Sequence, residues 1–447
     1  MKIPQKLFVL FGLLMGFSTL VKAQAGDAES AVKYRRNSLH LILLESEDFP
    51  RKETVMKAYS NAPFPEKYNN HSIGFNSFDP SQYGVVGTAP TTAATSSKKG
   101  MFSSLTATAG ALKGSDGDGS EMSLVINKFI KDKKIANQLI AKWFDRQPDG
   151  SFDMKLIAER GSYDATEMAA NIAKGSARGT ASLADAGEEL IKNTFVVFTK
   201  LKFVSNEPIA LAIMLAAKTQ TSKLGTFGQM LADKAAEAVY NKTKEGYSVW
   251  TTSYLYRLKW NDTTAAVFYD KYWMDKKSLN VKKKQAFDNA SDFDMEFVGS
   301  EKSSTLVTFS LKSKRTEDEI VELATVRNVD NVFAKLQKEY DVFKPKTPLY
   351  SGEPITAKIG LKEGIEGGDK FEVLEQTLDP KTGLTAYVRK GIITVDKNSI
   401  WDNRYNAAEG ELSEKEDKKS KSKTPIDRTT FKGGKNFAAG MLIRQIK

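Results

Sequence analysis

Apolar residues change their spacing several times along the chain, and each change marks an element. Ser38 to Leu44 is an apolar run of strand length, followed by a polar, proline-punctuated stretch through Asn70. Val125, Ile126, Phe129, Ile130, Ala136, Leu139, Ile140 and Trp143 recur at helical spacing while Lys131, Lys133 and Lys134 fall largely on the other side, which predicts one core-facing amphipathic helix. Asp149-Gly150 supplies a turn, and Phe152 to Ala158 reads as a strand. Asp164 and Glu167 form a capping-box pattern for a helix that Gly175 closes, and a second helix runs through Leu183, Leu190 and Ile191.

The strand Phe195 to Val204 alternates from Thr199 onward, as a half-exposed sheet requires. A helical excursion from Pro208 to Thr243 follows. Within it the apolar run Ile209 to Ala217 ends at Lys218, is too short to cross a bilayer, and reads as one buried or amphipathic helix. In Tyr247 to Trp260 the alternate positions Trp250, Tyr254, Tyr256, Leu258 and Trp260 make a largely aromatic face expected to pack in the core, with Arg257 and Lys259 opposite. Met295 to Val298 and Thr305 to Leu311 read as two strands around the polar turn Gly299 to Ser304. Thr316 and Glu319 predict a capped helix through Ile320, Leu323 and Val326, and a further helix carries Val332, Phe333 and Leu336. Pro345, Pro348 and Pro354 then mark an extended linker.

From Ile355 the pattern shifts to short strands and glycine turns: Ile355 to Ile359, Phe371 to Leu374, Ala386 to Val388, Gly391 to Val395 and Met441 to Ile446. This spacing predicts a small β-barrel or sandwich. The pattern Gly360, Gly364, Ile365, Gly368, Asp369, Phe371 and Val373 runs through the turn between the first two of these strands and into the second. That segment resembles the small C-terminal β-barrel domain of flagellar assembly protein T and similar envelope proteins. The resemblance covers about the last ninety-five residues and implies an envelope-associated, non-enzymatic module. The charged insert Glu409 to Thr424 reads as a loop.

The first segment changes the picture from fold to address. Lys2 and Lys6 precede an uncharged apolar run from Leu7 to Val21, and small residues follow at Ala23 and Ala25. This is the pattern of a secretory signal cleaved after one of those alanines. The formal charge of +11 falls to about +8 once Lys2, Lys6 and Lys22 leave. That moderate excess is compatible with an anionic membrane surface, and export disfavours nucleic acid.

Composition restricts chemistry further. The chain has no cysteine and two histidines, so neither a disulfide framework nor a multi-histidine metal site or histidine triad is expected. His40 falls in an apolar strand and His71 in a polar loop. Asp116, Asp118 and Glu121 faintly resemble a calcium loop, but Glu121 replaces the turn glycine and Asn127 the bidentate acid. Asp145, Asp149 and Asp153 are acids from which a glycosidase pair could be drawn. Asp262-Thr263-Thr264 matches a sequon used for periplasmic O-glycosylation, with Thr263 as acceptor.

The resulting expectation is an α+β protein, a mixed helix/strand body followed by a small C-terminal β-barrel. Its parts are a signal peptide (1–25), an N-terminal strand/loop segment (26–86), a flexible Thr/Ser/Ala/Gly loop (87–120), the α+β body (121–342), a linker (343–354) and the barrel (355–447). The expected role is binding or scaffolding in the periplasm or at the outer membrane, with an envelope protein or polysaccharide as partner and no cofactor. A carboxylate-based hydrolase of envelope polysaccharide is the alternative. Mass spectrometry of the mature protein should find Gln24 or Gly26 at its N-terminus, and an intact Met1 would refute cleavage.

Overall fold

The structure is a computed structural model describing residues 34–84, 117–163, 186–221, 225–307, 316–379, 385–405 and 426–446. It has an α+β body and a closed barrel of antiparallel strands. The chain enters through β1 (Asn37–Leu44), helix α1 (Lys52–Asn61) and the short strands β2 (Tyr68–Asn70) and β3 (Ser77–Phe78). Helices α2 (Gly117–Asp132), α3 (Ile135–Trp143), α4 (Lys155–Tyr163) and α5 (Ala186–Lys192) precede β4 (Thr194–Ser205). An α-helical hairpin, α6 (Asn206–Thr221) and α7 (Thr226–Thr243), leads to β5 (Tyr247–Leu258), α8 (Asp262–Val267), α9 (Val281–Asn289), β6 (Met295–Val307) and the long α10 (Glu317–Glu339).

The body sheet runs β2-β1-β4-β5-β6, with β1 parallel to β2, β3 and β4 and the rest antiparallel. Both faces are covered, and strand alternation divides the core accordingly. Ile42, Leu44, Val196, Phe198, Tyr254 and Tyr256 pack against α2 and α3. Leu39, Leu43, Phe195, Val197, Val249 and Leu255 pack against α1 and α10. Inside these layers Trp143 Nε1 donates to Thr194 Oγ1 (2.8 Å), which donates to Leu190 O (2.9 Å), so both buried groups are paired.

Several predicted boundaries move, each for a local reason. The N-terminal segment is part of the body, because β1 lies between β2 and β4. The helix expected through Trp143 breaks into α2 and α3 at Lys134, which adopts a left-handed conformation (φ 49°). Its N-terminal end begins at Gly117, inside the stretch read as a flexible loop. Phe152 to Ala158 is not a strand, since Asp153 Oδ1 accepts the Lys155 N–H at 2.7 Å and opens α4 there. The two strands expected around 299–304 are one strand, β6, with a bulge opposite Leu255 and Tyr256. Gly299 permits it, because a Cβ there would fall 2.3 Å from Tyr340 Oη. Tyr340 Oη and Lys335 Nζ donate to the carbonyls of Ser300 (3.2 Å) and Lys302 (2.6 Å), so α10 occupies acceptors along this edge strand. The two helices expected after Thr316 are likewise one, α10, opened by the predicted capping box.

The barrel strands are β7 (Thr347–Gly352), β8 (Ile355–Ala357), β9 (Lys370–Leu378), β10 (Thr385–Val395), β11 (Thr429–Lys432) and β12 (Leu442–Ile446), closed in the order β10-β11-β8-β7-β12-β9. The 343–354 linker does not exist as such. Phe343 is buried and stacks on Tyr68 (4.8 Å), and Thr347–Gly352 is β7, where Pro348 is tolerated near the strand start. Gly391 does not start a new strand but sits past a bulge within β10. The signal segment, the capping box at Asp164 and Glu167, and the insert 409–424 lie outside the described residues.

The glycine turn that opens β9 is also where barrel meets body. Gly364 has φ +71°, and a Cβ there would meet the Ala334 Cβ of α10 at 2.9 Å. Gly364→Ala should therefore lower the urea-derived stability of the full chain by about 1–2 kcal/mol, because left-handed backbone strain adds to the contact. Ala334→Gly should recover only the contact part. An unchanged denaturation midpoint for Gly364→Ala would contradict this docking.

Candidate functional site

The two histidines sit together on one side of the body sheet. His40 is buried on β1, and burial pushes its pKa down to about 4. His71 was expected in a polar loop, but it is fully buried, stacked on Trp143 (4.4 Å), with Nε2 donating to Leu139 O at 3.0 Å. Burial first, then the positive charges of Lys142 and Arg160, lower its pKa to about 3. Both rings are neutral and held as core groups, in line with the structural role expected of each.

Of the three aspartates that suggested a glycosidase pair, Asp149 and Asp153 engage their carboxylates in local turns. Asp149 Oδ1 accepts from the Ser151 N–H (2.9 Å) and hydroxyl (2.6 Å), which lowers its pKa. Asp153 caps α4, and Asp145 sits at a left-handed position (φ 40°). Glu121 is exposed on α2, while Asp116 lies outside the described residues. Among the described residues no three His, Asp or Glu side chains gather as a metal site. Ala23 and Ala25 also lie outside them, whereas Thr263 is exposed in the first turn of α8 behind the Asn261 cap.

Ionisable groups do converge where the barrel packs on the body. Glu189 accepts from Tyr387 Oη (2.9 Å) and pairs with Lys346 (2.7 Å), and Tyr34 Oη lies 2.6 Å from Tyr387 Oη. Desolvation raises both phenols, so they stay neutral hydrogen-bonding groups. A second cluster joins Asp330 of α10 to Lys362 (3.7 Å) at the glycine turn, beside the buried Lys67, whose Nζ donates to Lys358 O (2.6 Å). Burial raises Asp330 to about 6 despite that partner. The adjacent cavity, bounded by Gln337, Lys344, Glu363 and Gln445, holds about 30 Å³, room for a water molecule rather than a substrate.

No family model matches the chain, and no curated protein matches it significantly. The likeness to flagellar assembly protein T thus rests on the Gly360–Val373 motif alone. In the structure that motif is a docking turn: Glu363 accepts the Gly360 N–H (2.7 Å), and Asp369 accepts the Glu366 N–H (2.9 Å).

The surface that stands apart is the α6–α7 hairpin between β4 and β5. Asn206 fastens its base: its N–H donates to Gly246 O (3.1 Å), Nδ2 donates to Glu245 O (3.2 Å), and Oδ1 accepts from Ser248 Oγ (2.8 Å). Beyond that clamp, Ala210 is the single buried side chain among the described residues of both helices. Leu211 (40% exposed), Leu215 (54%), Phe227 (73%), Met230 and Leu231 face outward. The run Ile209 to Ala217 is therefore neither buried nor amphipathic, since α7 covers one side of α6 and the outer side is apolar too. The sequence signal was available in apolar residues placed all around the helical wheel.

The buried titratable groups oppose one another with pH. Each lowered histidine leaves the native state neutral while the unfolded chain takes up a proton below about pH 6.5, so stability falls on acidification. Asp330 acts the other way: the native state holds its proton above the unfolded value of 3.8, so this site's stabilisation is lost as pH rises towards 6. Each contributes at most about 1.4 kcal/mol per pH unit, so between about pH 4 and 6 the two histidines outweigh Asp330. Net loss of stability on acidification is expected. In chemical denaturation at several pH values, Asp330→Asn should steepen that loss and His71→Gln should flatten it, and parallel profiles for all three proteins would refute the assignment.

Proposed function

We propose that this chain is an exported protein of a bacterial envelope, periplasmic or outer-membrane-associated, that works by binding and scaffolding. The observation that carries the reading is the α6–α7 hairpin, two helices held out on a clamped base with Leu211, Leu215, Phe227, Met230 and Leu231 exposed. Contiguous exposed apolar surface on a folded protein marks an interaction site. Apart from Phe227 the exposed apolar residues are aliphatic, which favours a protein over a polysaccharide, a ligand that needs polar groups and ring-stacking aromatics. The signal-like start of the sequence supplies the compartment.

Two of the three acids that suggested the hydrolase, Asp149 and Asp153, hold local turns, which makes it the weaker reading. The barrel supports the scaffold reading by its closure, which leaves few strand edges to engage partners and directs contact to the hairpin.

A photo-crosslinking residue placed at Leu215 or Phe227 in cells should form a defined protein adduct. The same residue at Val281, 71% exposed on α9, should not. Equal labelling from all three positions, or none from the hairpin, would refute a binding role for this surface.

A further inference from the structure

We infer that the outer face of α6 is a self-association surface, on which α6 of a second copy of this chain packs antiparallel. The inference rests on the hairpin being a contact surface and adds the identity of what covers it. Pro208, Leu211, Ala212, Leu215 and Thr219 are exposed and lie along one side of α6, which carries no charge over more than three turns. Helices apolar all round are stable in water only when covered all round, and α7 covers one side.

Charge and size favour a second α6. The charged residues of α6 are Glu207 near its start and Lys218 near its end, about three turns apart and therefore on the same flank of the apolar stripe. A twofold axis between them brings Glu207 of one copy beside Lys218 of the other at both ends. A parallel pair would instead set like charges together. Lys218 already holds Glu237 of α7 at 2.7 Å, so Glu207 of the second copy would join an existing pair and fix orientation more than affinity. Ala212 and Ala216 keep the stripe shallow, which suits the close end of helix-to-helix spacing.

A lipid surface fits less well. A helix lying at a membrane interface needs a strongly polar face to present to water, and α6 has none. Its 16 residues are also short of a bilayer span. The stripe offers on the order of 400 Å² per copy, which puts the contact in the small, reversible class of interfaces.

Sedimentation of the full mature chain, followed from about 1 to about 200 μM, should show a reversible monomer–dimer equilibrium in the range expected for a small interface. Leu215→Glu, at an exposed position, should leave the circular-dichroism spectrum and thermal midpoint unchanged and yield only monomer. Glu207→Lys should weaken dimerisation several-fold, and adding the double exchange Lys218→Glu with Glu237→Lys should restore it, because the ends and the α6–α7 pair are then again complementary. A wild-type monomer across the whole range, an unaffected Leu215→Glu dimer, or failure of the double exchange to restore pairing would overturn the inference. Flotation of monomeric wild type with phosphatidylglycerol vesicles, lost in Leu215→Glu, would also overturn it, in favour of lipid. If wild type is monomeric while a crosslinker at Leu215 still captures an envelope protein, self-association fails and the binding role stands; if both are absent, both fail.

Discussion

Thr194 to Thr199 of β4 have no exposed side chain, so this stretch can exist only between two covered faces. That constraint organises the body. One face needs α2 and α3 with Phe129, Leu139 and Trp143, and the other needs α1 and α10 with Val55, Ile320 and Leu336. Neither layer is separable, because removing one exposes Val196 and Phe198 and removing the other exposes Phe195 and Val197. Phe195 links the body to the start of the barrel through an edge contact with Phe343 (5.1 Å), and Phe343 stacks in turn on Tyr68. Body and barrel are thus joined by core packing as well as by polar contacts.

The polar joint has a different character. Asp330 and Lys362 are largely withdrawn from water, and the raised Asp330 pKa indicates that the pairing does not fully offset the cost of burial. Such a pair contributes geometry more than stability. It sits beside Gly364 against Ala334, where a close backbone approach sets the barrel's position on α10. The Tyr34, Tyr387 and Glu189 network fixes a second point on the barrel. Two separated points of attachment restrain rotation in a way that one apolar contact could not.

Much of this arrangement was legible in the sequence, and the failures share causes. The alternation in β4 and β5, the Thr316–Glu319 box and the glycine turns are local signals, and each appears as an element. Closure of the barrel could be expected, but its first strand could not, since Pro345 and Pro348 signal a linker by composition while pairing with β12 and β8 is decided by residues far along the chain. Polar Gly299 to Ser304 read as a turn for the same reason: β5 alone specifies that they pair. His71 lies in a loop as expected, but its burial was missed because its polar neighbours describe the loop, whereas Trp143, distant in sequence, supplies the stacking surface. Tertiary partners outvoted local composition in every such case.

The hairpin departs from the rule that governs the rest. Elsewhere an apolar helical stripe predicts burial: α3 buries six of its nine residues, whereas α6 has a comparable apolar content and buries only Asn206 and Ala210. Propensity does not explain the difference, since the alanines that favour the helix would tolerate a polar outer face equally well. Folding does not require the apolar residues either, because Asn206 and Ser248 close the base with polar bonds and α7 covers only the inner side. Residues that neither the helix nor the core needs are the ones the proposed contact would use. A surface that breaks local consistency without a compensating internal contact is where function is expected to lie, and in this fold it can change without disturbing β4.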